Sequence, residues 1–174
     1  RSCINTAGLA TLKAGIAAPV ADKWSPQITI GTPVMIPEEY VADLPVRLAL
    51  YRRLAEIEDE REIESFGAEM ADRFGPLPVE VEHLLQIVAI KALCRQANVE
   101  KVEAGPKGVV VTFRDNTFAN PERLIKFIGD EGARVRPDQK VVFFDDWERA
   151  EDRLSGTKQI LRKLVELAQP AKAA

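Results

Sequence analysis

The chain has 174 residues, 46% hydrophobic and 29% charged, with a formal net charge of −3. That is enough polypeptide for one domain with tails and a real core. No apolar run approaches the ~20 residues that cross a bilayer, and the start lacks the basic n-region and apolar core of a secretory signal, so the expected location is cytoplasmic. An acidic balance argues against a dedicated DNA-binding module, although it leaves room for a local basic patch.

Residues 1–23 are small, weakly patterned and without aromatics. They read as a linker or the remnant of a preceding module, with an α+β domain expected over 24–169 and a flexible tail over 170–174. Order is expected to begin near Trp24. Ile28 and Ile30 alternate with polar neighbours in a short extended segment, and Val34 and Ile36 continue it beyond Pro33. Asp43 is placed as an N-cap, with Pro45 in the first turn. Val46, Leu50, Leu54 and Ile57 then make a helical stripe. Arg47, Arg52 and Arg53 lie off that stripe; they could touch phosphate, or pair with Glu56, Glu58 or Glu60.

Ile63, Phe66, Met70 and Phe74 fall on one side of a second helix, stopped by Gly75 and then by Pro76 and Pro78. Glu62, Ser65, Glu69 and Asp72 cluster opposite, with Arg73 at their border. This acidic column is either a docking surface or a solvated side. A third helix runs from Pro78 to about Asn98. Val81, Leu84, Leu85, Val88 and Ala92 form one stripe and Ile87, Ile90 and Cys94 another, so the helix is expected between two layers. His83, the single histidine, has no partner at ligand spacing and is expected to be structural. Cys3 and Cys94 do not form a disulfide pattern.

From Val99 the period changes to two. Val99 to Ala104 and Val109 to Arg114 flank Gly105-Pro106-Lys107-Gly108 and read as a hairpin. Asn120-Pro121 opens a helix with Leu124, Phe127 and Ile128 buried, ending at Gly132. Arg134 to Arg136 and Lys140 to Phe144 suggest a second hairpin. A closing helix from Arg149 to Gln169 carries Leu154, Thr157, Leu161, Leu164, Val165 and Ala168 in register. Helices gathered before a small hairpin-built sheet predict an α+β fold, with helices packed on a mostly antiparallel sheet.

Chemistry-bearing motifs are missing. The chain has no G-x-x-x-x-G-K-[ST], G-x-G-x-x-G or G-x-S-x-G, and no zinc-type Cys/His spacing. Gly105 to Gly108 lacks the Ser/Thr of a phosphate loop, and Asp145-Asp146, adjacent at a strand end, do not identify an acid/base pair against a substrate pocket. No catalytic residue, cofactor or metal is expected.

Ile36-Pro37-Glu38-Glu39-Tyr40-Val41, the run Arg47 to Leu54, the run Glu69 to Pro78 and Gly105 to Gly108, taken together, resemble the C-terminal domain of bacterial transcription-repair coupling factors. The likeness spans about Trp24 to Leu167 with the motifs in the family's order, and does not extend clearly over the first 23 residues. The resemblance implies a non-catalytic, autoinhibitory domain of a DNA translocase whose ATPase motifs lie in other modules. It implies packing against a UvrB-like N-terminal module of the same chain, which masks the UvrA-binding surface until the protein engages stalled RNA polymerase and DNA. The acidic positions of the family's motif fall on Glu69 and Asp72, which turns the acidic column toward the docking reading. Two alternatives remain: an accessory DNA-binding module using Arg47, Arg52, Arg53, Lys158, Arg162 and Lys163, or a structural end-cap of the translocase modules.

Overall fold

In the computed structural model the described residues are 24–170. The linker expected over 1–23 lies outside them, as do residues 171–174 of the expected tail. In chain order the elements are β1 (Gln27–Thr29), α1 (Leu44–Glu56), α2 (Glu60–Phe74), α3 (Val79–Ala97), β2 (Val99–Gly105), β3 (Gly108–Phe113), α4 (Pro121–Asp130), β4 (Arg134–Val135), β5 (Val141–Phe144) and α5 (Ala150–Ala168). A single 3-10 turn, Arg114–Asn116, follows β3.

The fold is α+β. Its sheet order is β1-β2-β3-β5-β4, with β1 parallel to β2 and every other pairing antiparallel. Both expected hairpins are present. In the first, Gly105 stands opposite Gly108, so Pro106 and Lys107 alone make the turn. Gly108 has φ +126°, and a Cβ there would meet the Phe143 carbonyl oxygen at 2.0 Å, which only glycine avoids.

Alternation along the strands places Val109, Val111 and Phe113 of β3 and Val141 and Phe143 of β5 in the core. There they pack with Ile90, Cys94 and Ala97 of α3, with Leu124 and Phe127 of α4, and with Leu154, Leu161 and Leu164 of α5. A second core joins Leu50 and Leu54 of α1, Ile63, Phe66 and Met70 of α2, and Val81, Val88 and Ala89 of α3. The two apolar sides of α3 thus serve two different cores, as its double stripe predicts. Within the Ala150–Ala168 helix, Gly156 admits the indole of buried Trp147.

The segment around β1 is tied to helices far away in sequence. Arg95 Nε donates to the Trp24 carbonyl at 3.3 Å. Thr32 Oγ1 lies 3.3 Å from His83 Nδ1, and Arg153 Nη1 donates to the Ile30 carbonyl at 3.4 Å.

Candidate docking surface

The scaffold of the acidic column is set locally. Asp59 caps α2 by accepting from the Arg61 N–H at 2.8 Å, and Glu60 and Glu62 complement the positive end of the helix. At the other end Gly75 takes φ +94°. The Tyr40 hydroxyl donates to the carbonyls of Gly75 at 2.7 Å and Met70 at 3.1 Å, clamping the helix terminus. Ile63, Phe66, Gly67 and Met70 are buried.

With that stripe facing inward, Glu62, Ser65, Asp72 and Arg73 are exposed and Glu69 is half-buried. Glu62, Ser65 and Glu69 line an open groove of about 520 Å³ between α2 and α1, whose opposite wall carries Arg53 and Glu56. Asp72 lies outside the groove lining and has no ion-pair partner among the described residues.

Glu69 departs from the expectation of a freely projecting carboxylate. Arg53 Nη1 donates to its Oε2 at 2.5 Å and Nη2 approaches Oε1 at 3.4 Å, while Arg73 Nη1 lies 3.7 Å from the same Oε2. Both guanidiniums also rest on aromatic rings, Arg53 5.0 Å from the Phe66 centroid and Arg73 4.8 Å from that of Phe74. The hydrogen bond from Arg53 holds the Glu69 carboxyl below the ordinary carboxylate value, with the Arg53 and Arg73 charges adding to it. The sequence left Arg53 to touch phosphate or to pair with Glu56, Glu58 or Glu60; it pairs with Glu69, farther along α2, instead. No local signal announces this, because 16 residues separate the partners and the contact exists only once the helices pack.

Of the other cations weighed for nucleic acid, Arg52 is exposed with no ion-pair partner among the described residues, while the rest are engaged. Arg47 Nη1 donates to the Val41 carbonyl at 2.7 Å. Lys158 and Arg162 of α5 converge on Glu60 at 3.5 and 2.6 Å, and Lys163 lies 3.6 Å from Glu166. Sequence reasoning missed the Glu60 clasp for the same reason: its partners lie about a hundred residues away.

The remaining candidates take structural positions. His83 is buried between Thr32 and Glu151, whose Oε1 lies 3.6 Å from Nε2. In the turn at Gly105 to Gly108, the carbonyls of Pro106 and Lys107 accept from the N–H groups of Trp147 and Asp145. Asp145 Oδ1 accepts from the Asp146 N–H at 2.8 Å. Cys94 is a free, buried thiol. Among the described residues no group of three or more His, Cys, Asp or Glu could hold a metal ion, and no helix is long and apolar enough to cross a membrane.

Comparison with known proteins places the chain. The TRCF domain family matches residues 30–124. The transcription-repair-coupling factor of Rickettsia bellii (strain RML369-C) is 42% identical over 120 residues, covering 68% of this chain and 11% of the relative. That of Escherichia coli (strain K12) is 30% identical over 161 residues, covering 90% of this chain and 14% of the relative. The chain therefore spans little more than a tenth of the length of these curated relatives. Its fold is that of a crystal structure of the C-terminal domain of transcription-repair coupling factor, with a TM-score of 0.70 at 19% identity over 83% of this chain and 94% of the other. Family match, sequence identity and shared fold agree: this chain belongs to the TRCF domain family of the transcription-repair-coupling factors.

Proposed function

We propose that this chain is the regulatory C-terminal domain of a transcription-repair coupling factor, and that it works by docking rather than by catalysis. It packs against a UvrB-like N-terminal module of the same polypeptide and masks that module's UvrA-binding surface. Engagement of stalled RNA polymerase and DNA by the full protein releases it, while ATP chemistry resides in other modules and the whole acts in the cytoplasm. The observation that carries this reading is the outer face of α2, where Glu62, Ser65 and Asp72 stand exposed beside Glu69 on a helix fixed at both ends. The engagement of Arg47, Arg53, Lys158 and Arg162 within the domain favours docking over nucleic-acid binding.

The energetics are modest. Holding a tethered module about 99% closed takes roughly 2.7 kcal/mol, half of the full swing between 1:99 and 99:1. The tether raises the effective concentration, so a small polar contact suffices. Carboxylates meeting a basic surface set orientation and partner choice, and screening over about 8 Å at physiological salt keeps the contact reversible. In the full-length polypeptide, Asp72→Ala, alone and with Glu69→Ala, should raise UvrA affinity while leaving the melting temperature of the domain nearly unchanged for D72A. UvrA affinity at the wild-type level in both variants would remove the proposal's basis.

A further inference from the structure

The acidic face already holds a cation of its own. Arg53 reaches from α1 across the groove and sets its guanidinium against both oxygens of Glu69, supported from below by the Phe66 ring. A carboxylate occupied by one fork cannot offer the same geometry to a second guanidinium, which would also meet like charge. Asp72 is exposed and has no such occupant among the described residues.

We propose that Arg53 is an internal competitor for the docking partner. Its guanidinium occupies Glu69 when the domain is undocked and yields that carboxylate to a basic side chain of the partner when the domain closes. This rests on the docking reading above. Asp72 supplies the first foothold, and Glu69 joins by exchanging one ion pair for another. Both Arg53 and Glu69 are about half exposed, at 49% and 40% of their side chains, so the exchange is shallow and easily reversed. The device lowers the resting affinity of the latch and keeps it releasable.

The test uses the full-length polypeptide, titrated with UvrA. Arg53→Gln keeps a polar side chain over Phe66 but removes the charge. By leaving Glu69 with only the looser Arg73 contact at 3.7 Å, it should tighten the closed state and lower UvrA affinity about two- to fivefold, the range open to an exposed pair. In a Glu69→Gln background the same substitution should have no further effect. Arg53→Lys, which keeps charge and stem but loses the fork, covers the case in which R53Q melts early, and should shift affinity the same way by less. Unchanged or increased UvrA affinity in R53Q, or in R53K where R53Q is unstable, overturns the competitor. Should D72A and the D72A/E69A double variant also leave UvrA binding unchanged, the docking reading itself has failed; either of them raising it while R53Q does nothing sinks the competitor alone.

Discussion

At Gly156 the closing helix has no side chain, and the indole of Trp147 fills the space: an added Cβ would lie 2.2 Å from the ring. Alanine is the better helix former by about 1 kcal/mol, yet a rigid buried ring cannot yield by more than an ångström. Overpacking wins, and Gly156→Ala should cost ~1–3 kcal/mol net, read as a lower urea midpoint. Burial acts equally plainly on Cys94, whose thiol is pushed up to about 12. The thiolate is the reactive form, so at pH 8 this cysteine should react with a disulfide reagent only as fast as the protein opens. Fast labelling of Cys94 in the folded state would contradict the packing of α3. Neither effect was legible from sequence. Gly156 carries no turn signature, and Cys94 announced only an apolar face.

Among the elements, the helix caps separate what local patterns reveal from what they cannot. Asp43 and Asp59 both precede helices, but only Asp59 accepts a hydrogen bond with its side chain; α1 begins without one. Asp59→Ala should therefore cost about 1 kcal/mol and Asp43→Ala a few tenths, compared by chemical denaturation. Asn120, at the N-cap position of α4, makes no side-chain cap there and turns its amide to the far end of α5, donating to the carbonyls of Leu167 and Gln169 at 2.8 and 3.2 Å. The sequence marked Asn120-Pro121 as a boundary and could not say which helix would use the amide. Periodicity read the hairpins and the two-sided α3 well, because alternation and helical stripes are short-range consequences of burial. It did not reveal that β1 joins the sheet in parallel, since that pairing brings Gln27 beside Lys101. The outward column of α2 was legible as a face. The Arg53 pairing that occupies Glu69 was not.

On the scale of the whole molecule, two cores share one helix, and the α1–α2 pair meets α5 through Glu60, gripped by Arg162 and Lys158. The hydrogen bond from Arg162 holds the Glu60 carboxyl below its ordinary value. A carboxyl lowered on folding contributes stability above its unfolded pKa and loses it as pH falls through the folded one. This clasp should therefore weaken only on the acid side. Glu60→Gln should abolish that acid-side loss and, near neutrality, speed hydrogen exchange in α1 and α2 by a few-fold, in keeping with ~0.5 kcal/mol for an exposed network, while β2 and β3 stay protected. Equal acceleration in both cores would show them to be a single cooperative unit. The bond from Arg153 to Ile30 joins residues 123 apart, and this has a consequence for biosynthesis. A ribosome adding about 5–20 residues per second delivers Ile30 on the order of ten seconds before Arg153. The front of the domain must wait, unfastened and open to chaperones, until translation of the closing helix secures it.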